Sequence, residues 1–319
     1  MFINTKHELL GVTSYTSYES GALKDCKIDQ YNLLHTPYGD LIPRFTPPNE
    51  RSKDTKSLSF FPDGSLESVY LEETVPIATS VGTFPAELLT FYENGALNSL
   101  FPLNGQLGFG WSEEDEEQMA QAYDFDLPVG KFSAKIIGLR FFENGNLRSL
   151  ILWPKENVTL MTPLGECSTR IGFRLYENGT LQSFEPSFPV DIQTPIGDIT
   201  AFDQMAMGAD ADFNSIRFDP AGRLISLSTN SDIVIKNTQT GQREVFYQQI
   251  RFGMTKDAFI KIPVKMFFDQ DHTTILDNGT ESRSFKNQDY TFMALYDGSF
   301  QQLKCSPGSD CSNCGAGCM

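Results

Sequence analysis

Short runs of alternating apolar and polar residues recur along this chain, and at six places two such runs flank a four-residue turn that ends in glycine. An apolar residue stands four positions before the glycine in five copies, and a leucine stands two positions after it in all six. This pattern predicts antiparallel strands that pair across a hairpin on a half-buried sheet. The turn glycines are Gly21, Gly64, Gly95, Gly145, Gly179 and Gly222.

The residues before these glycines indicate the turn geometry. A type I′ turn needs positive φ at both central residues, and Ala221 of the sixth copy would be strained there. A type I turn followed by a left-handed glycine accepts every observed pair, so we predict three-residue hairpins with a glycine bulge. The leucines that follow are expected to form a stripe of core rather than a ligand groove. They are Leu23, Leu66, Leu97, Leu147, Leu181 and Leu224.

A second turn, typically Thr-Pro-x-Gly, alternates with the first. Proline followed two positions later by glycine is typical of a turn. Copies begin at Thr36, Thr79, Leu127, Thr162 and Thr194, with a weaker match at Thr238. Together the two turns predict an all-β fold, an elongated antiparallel sheet of stacked β-hairpin repeats with antiparallel neighbours.

Departures from the regular spacing locate three insertions, around residues 47–52, 111–119 and 205–210. In the second insertion Ser112 can cap a helix, acidic residues crowd its first turn, and Met119, Ala122 and Tyr123 share one face. We therefore predict one short inserted helix over residues 112–123. Loops on a rigid scaffold often carry binding residues, so these insertions are candidate contact elements.

The repeated units, with Tyr-x-Asn-Gly-x-Leu at 92–97 and 176–181, resemble the MORN-variant repeats of bacterial proteins over about residues 15–230. The resemblance implies an extended sheet of stacked hairpins and a non-catalytic, contact-making role. Some family members resemble antitoxin or immunity partners. The units here are longer than the usual repeat, and the Thr-Pro-x-Gly turn is not part of the usual motif.

Charge narrows the range of partners. The net charge is −16, and residues 231–319 hold nine basic and ten acidic residues, so −15 falls on residues 1–230. An acidic surface disfavours nucleic acid and anionic membranes, and it suits either a solvated face or basic protein partners. The first residues show no signal-peptide pattern, and no apolar run is long enough to span a bilayer. We therefore expect a cytoplasmic protein.

The C-terminal tail is the sharpest candidate for chemistry. Four cysteines fall within fourteen residues rich in Gly, Ser and Pro, namely Cys305, Cys311, Cys314 and Cys318. Four thiolates can hold zinc or an iron–sulfur cluster, although the spacing matches no common ferredoxin or zinc ribbon. Disulfides and unligated or modified thiols remain as alternatives. Cys26 and Cys167 are expected to be small buried residues.

Two acidic motifs are weaker candidates. Asp210, Asp212 and Asn214 mimic the start of a calcium loop, but the expected glycine and glutamate are missing. Asp269, Asp271 and His272 could bind a cation, although a polar hairpin end is the favoured interpretation. The sequence holds no zincin pattern, nucleophile elbow, P-loop or dinucleotide fingerprint, which disfavours an enzyme.

These observations predict a β-hairpin repeat array over residues 1–230, degenerate repeats or a capping β subdomain over 231–304, and a cysteine-rich tail over 305–319. The leading hypothesis is a non-catalytic scaffold that binds a protein partner, with neither nucleic acid nor membrane. One alternative is an iron–sulfur or zinc protein whose tail carries redox or metal-handling function. Another is an antitoxin or immunity-like partner protein.

Overall fold

The computed structural model describes residues 6–105, 107–206, 211, 214–252, 259–277 and 281–295. These residues form twenty-six strands, one α-helix and one 3-10 turn, and seventeen strands belong to one antiparallel sheet. The predicted all-β class of stacked hairpins with one short helix is therefore confirmed. Contacts divide the chain into two compact units. The first holds the chain up to Trp153, except Pro128–Gly130, together with Glu177–Gly179, and the second holds the other described residues.

The first unit is a succession of antiparallel hairpins. Its strands are β1 (Val12–Ser17), β2 (Leu23–Ile28), β3 (Leu34–Thr36), β4 (Gly39–Leu41), β5 (Leu58–Phe60), β6 (Leu66–Thr79), β7 (Gly82–Phe91), β8 (Leu97–Phe101), β9 (Ala122–Leu127), β10 (Gly130–Phe141) and β11 (Leu147–Leu152). The helix α1 (Glu113–Met119) lies between β8 and β9. In the sheet the order is β1, β2, β5, β6, β7, β8, β10, β11, with β9 also paired to β10, while β3 and β4 form a small hairpin of their own.

The second unit repeats this arrangement and adds smaller sheets. Its strands are β12 (Val158–Thr162), β13 (Gly165–Leu175), β14 (Leu181–Pro186), β15 (Val190–Thr194), β16 (Gly197–Ala201), β17 (Ile216–Phe218), β18 (Leu224–Thr229), β19 (Asp232–Asn237), β20 (Arg243–Phe246), β21 (Gln249–Phe252), β22 (Phe259–Ile262), β23 (Val264–Phe268), β24 (His272–Asp277), β25 (Glu281–Lys286) and β26 (Tyr290–Leu295). The strands β12, β13, β14, β17, β18, β23, β24 and β25 are successive neighbours in the large sheet. The others form the sheets β15–β16, β20–β19–β26 and β21–β22, and the 3-10 turn is Asn287–Asp289.

Each unit has a core row in which every residue is the cross-strand partner of the next. In the first unit the row is Cys26, Leu58, Val69, Leu89, Leu100, Leu139 and Leu150. In the second unit it is Phe173, Phe184, Ile216, Leu227, Met266 and Ile275. All of these side chains are buried. Full burial of one such side chain stabilises the fold by about 1.5–3 kcal/mol, so the regular strands carry most of the apolar stabilisation.

The six hairpin turns have the predicted geometry. Their glycines have φ between 80° and 84°, and no other residue of these turns has positive φ. A register shift next to each turn marks the bulge. In five copies the aromatic or leucine residue that enters the turn pairs with the leucine that leaves it, as Phe91 pairs with Leu97, and in the first copy Ser17 pairs with Leu23. The recurrent leucines are buried, except that Leu224 is half-buried.

Tyrosine hydroxyls connect the hairpins in pairs within each unit. Tyr18 donates a hydrogen bond to the carbonyl of Phe60 (2.9 Å), and Tyr92 donates one to Phe141 (2.8 Å). In the second unit Tyr176 donates in the same way to Phe218 (2.8 Å). The first, third and fifth copies are thus each bonded to the copy that follows.

The second turn is closed by its threonine. The hydroxyls of Thr36, Thr79, Thr162 and Thr194 donate to the carbonyl of the turn glycine three residues on, at 2.6–2.8 Å. The weak match at Thr238 is different, since its hydroxyl donates to the carbonyl of Asp289 and the Asn237 side chain organises the turn. Its threonine therefore does not close the turn as it does in these four copies.

The inserted helix is shorter than predicted. Ser112 caps α1 with a capping box to Asp115, as its sequence indicates. The helix ends at Met119, and Ala122 and Tyr123 belong to β9, so the predicted end at residue 123 is wrong. The physical reason is tertiary: the Tyr123 ring packs edge-on against Phe84, at 5.4 Å between centroids, and β9 pairs with β10.

Candidate functional site

The four tail cysteines that the sequence nominates lie outside the described residues, and their metal, disulfide or free-thiol states stay predictions. The other two cysteines are buried in the core as predicted. Burial raises the pKa of Cys26 to about 12 and raises that of Cys167. A thiol with a raised pKa is a poor nucleophile and a poor metal ligand at neutral pH, so these two residues act as apolar packing groups.

Asp269, Asp271 and His272 do lie together, with possible ligand atoms within 4.8 Å of one another. However, Asp269 Oδ1 already accepts the backbone N–H groups of Asp271 (3.1 Å) and His272 (2.7 Å). The Asp269 N–H bonds the His272 carbonyl, which makes the group a polar hairpin end, as favoured. Exposed acidic turns of this kind are common, so we assign it no ligand.

The calcium-like motif is described only at its last member. Asp210 and Asp212 lie outside the described residues, whereas Asn214 is buried. Its amide donates to Ser183 Oγ (3.0 Å) and to the Ala211 carbonyl (2.7 Å). Asn214 therefore has a structural role in the third insertion.

The first two insertions, which are far apart in sequence, meet in the first unit. Ser52 and Leu107 form a β-bridge, and the Gly108 N–H donates to the Arg51 carbonyl (2.8 Å). Asn49 Oδ1 accepts the N–H groups of Arg51 and Ser52, which shapes the first insertion. We call residues 47–52 and 107–120 together the insertion platform.

A partly buried ion cluster clamps the platform to the sheet. The Arg51 guanidinium forms two hydrogen bonds to Glu116 of α1 (2.9 and 2.7 Å) and two to Glu87 of β7 (3.0 and 2.9 Å). Side-chain exposure is 21% for Arg51, 13% for Glu87 and 2% for Glu116. Hydrogen bonds to Glu116, followed by those to Glu87, raise the pKa of Arg51. Two bidentate pairs of this kind fix both insertions in one geometry.

The tryptophan of the second insertion joins the same cluster. Trp111 Nε1 donates to Glu116 Oε2 (2.8 Å), and the Trp111 N–H approaches the Gly108 carbonyl at 3.4 Å, closing a tight turn over residues 108–111. The backbone of Gly108 lies directly against Glu50, since a Cβ added there would be 2.3 Å from the Glu50 carbonyl oxygen. Only glycine fits this contact, and the turn is therefore seated firmly on the first insertion.

Phe109 stands at the apex of this turn with its side chain wholly in solvent (111% exposed). The exposed charged groups of the platform itself are acidic. The platform holds six carboxylates, Glu50, Glu113, Glu114, Asp115, Glu116 and Glu117, against one arginine, a net charge of −5. Of these, Glu116 is the buried one. The platform thus presents one apolar ring within an acidic surface.

The third insertion belongs to the second unit and is held by a different group. Glu185 on β14 is fully buried, and its carboxylate accepts the N–H of Ser215 (2.8 Å) and lies 3.6 Å from Arg170 Nη2. Burial raises the pKa of Glu185 to about 7, despite the opposing effect of these partners. Asp203, at the start of this insertion, lines a cavity of about 220 Å³ together with Lys265.

No protein-family model, curated protein or solved structure matches this chain. The resemblance to MORN-variant repeats therefore stays a prediction from the repeated motif. Within the described ranges, no helix combines the length and apolar character needed to cross a membrane.

Sequence reasoning named the insertions but missed the contacts that join them to each other and to the sheet. Arg51, Glu87 and Glu116 come together only because the strands between them fold into hairpins, so no local pattern could have paired them. Phe109 had a weak signal, a phenylalanine between two glycines in a loop rather than in a strand.

Proposed function

We propose that this protein is a non-catalytic β-repeat scaffold that binds a partner protein through the insertion platform. The observation that carries this proposal is the clamp, in which one arginine binds a carboxylate from the helix and another from the sheet. A surface whose backbone is already ordered loses less conformational entropy on binding. The platform has the properties of such a preorganised surface.

The distribution of chemistry supports the same function. In the repeats, the side chains described above form cross-strand pairs, fill the buried apolar row or close the turns. By contrast, the platform exposes Phe109, Met119 (42% exposed) and several carboxylates that take no part in the pairing of the sheet strands. Aromatic and methionine side chains are enriched at protein interfaces, where one protein covers the apolar surface of another.

Site-specific photo-crosslinking in the cells that produce the protein tests this function. A benzophenone amino acid would replace Glu114 or Met119 on the platform, and Tyr31 or Tyr15 elsewhere on the first unit as exposed controls. We expect both platform positions to capture the same protein, and the controls to capture none of it. If the platform positions capture no common protein, or if the controls capture it equally, the proposed function is wrong.

A further inference from the structure

We infer that Phe109 is the anchor of this interface and that the partner presents an apolar pocket with a cationic rim. This inference rests on the proposed function and specifies it further. It follows from three features of the described platform, namely the exposure of the ring, the fixed position of its backbone and the net charge of the platform.

The Phe109 side chain is not packed against the described residues of the first unit. Its side chain is 111% exposed, the highest exposure among the large apolar residues of the described chain. A buried phenylalanine removes roughly 150–250 Å² from water, which is why aromatic side chains often dominate the binding free energy of an interface. No described residue covers the Phe109 ring, and we infer that the ring makes this gain in a pocket of another molecule.

The backbone under Phe109 is fixed rather than loose. Gly108 rests on the Glu50 carbonyl and its N–H bonds the Arg51 carbonyl, while Trp111 is bonded to the clamped Glu116. Gly110 lies close to Glu50 as well, since a Cβ added there would be 3.6 Å from the Glu50 Cβ. The ring therefore projects from a turn whose backbone is already held in place. The backbone of this turn loses little conformational entropy when the ring enters a pocket.

Charge selects the class of partner. Glu50, Glu113 and Glu114 are exposed carboxylates of the platform, so an acidic pocket rim would be repelled and a rim of lysine or arginine attracted. A second copy of this chain would present the same acidic platform and is disfavoured. Nucleic acid and anionic lipid carry the wrong charge for the same reason. The favoured occupant is a basic protein surface with one apolar pocket.

The test uses the full-length protein and the partner captured by the crosslinker at Glu114, purified and titrated in solution. Phe109→Ala should weaken binding by about 30-fold or more, the loss typical of an interface hot spot. The matched control Tyr31→Ala removes another exposed ring (53% exposed) of the same unit and should bind within about twofold of the wild type. The double variant Glu113→Gln/Glu114→Gln should slow association and flatten its dependence on salt between about 0.05 and 0.5 M.

Each arm can overturn the inference separately. If Phe109→Ala binds within about twofold of wild type, the anchor is wrong, although the proposed function survives because the platform still captured the partner. If the glutamine variant binds more tightly or keeps the full salt dependence, the cationic rim is wrong. If Phe109 instead drives self-association in sedimentation, or binding to phosphatidylcholine vesicles, the inferred occupant is wrong. Circular dichroism of each variant verifies that the fold is intact.

Discussion

Replacement of Arg51 by methionine tests whether the ion clamp holds the platform. Methionine keeps much of the side-chain volume but removes the four hydrogen bonds to Glu87 and Glu116. Two carboxylates then remain next to each other at 13% and 2% side-chain exposure without their cation. Because a buried charge without a partner is costly, we expect the platform to open and expose these carboxylates to water.

The structure sets the expected magnitude. Removing one member of a buried ion pair costs roughly 3–5 kcal/mol. Because Arg51 and Glu87 are partly exposed, at 21% and 13% of their side chains, we expect the lower end of that range, about 3 kcal/mol.

Hydrogen exchange provides the assay, since it reports the opening free energy of individual amides. The Gly108 amide, bonded to the Arg51 carbonyl, reports on the platform, and the Leu89 amide in the central strand β7 reports on the sheet. The matched control Lys131→Met breaks an exposed ion pair to Asp126 and should cost less than about 1 kcal/mol. If Arg51→Met changes Gly108 exchange no more than this control, the clamp does not hold the platform.

Three further predictions follow from other contacts. Because the folded-state pKa of Glu185 is raised from 4.5 to about 7, the folded protein holds a proton that the unfolded chain releases, so stability should fall by up to about 3 kcal/mol as the pH rises through this window. Urea unfolding at about pH 5 and pH 7.5 measures this slope; Glu185→Gln should lack it, and an unchanged slope would contradict the assignment. Gly108→Ala should open the platform in hydrogen exchange, whereas Gly110→Ala should be tolerated, and equal effects would show that the close approach to Glu50 is unimportant. Tyr92→Phe should destabilise the first unit by about 1 kcal/mol in denaturant titration, and no loss would mean that the bond to Phe141 contributes nothing.

The regular part of the fold could be predicted because its determinants are local. A single residue, Ala221, distinguishes a type I turn from a type I′ turn. It directly precedes the turn glycine, a position that a polar residue takes in the other five copies. The structure gives Gly222 a φ of 80°, whereas Ala221 does not have positive φ. Ser112 likewise marked the start of α1 through a contact only three residues away. Such features depend on backbone sterics and on hydrogen bonds between residues a few positions apart, so a short stretch of sequence is enough to predict them.

The site depends on contacts that no short segment encodes. Arg51 and Glu116 are 65 positions apart, and each on its own resembles a solvated charge. The end of α1 was mispredicted for the same reason, because Tyr123 follows a helical pattern but pairs its ring with Phe84. Long-range packing decided both cases, and it becomes visible only when the hairpins are assembled.

The Arg51 clamp and the Phe109 anchor should contribute to binding in different ways, the clamp through the stability of the platform and the anchor through direct contact with the partner. A partner that needs the closed platform binds in proportion to the fraction of molecules in which it is closed. If closure is favoured by more than about 1.4 kcal/mol after Arg51→Met, over nine tenths of the molecules stay competent and affinity barely changes. When the open platform predominates, the apparent affinity falls in proportion to the closed fraction, although the Phe109 side chain is unchanged. Phe109→Ala should do the reverse, lowering affinity while leaving the Gly108 amide as protected as in the wild type.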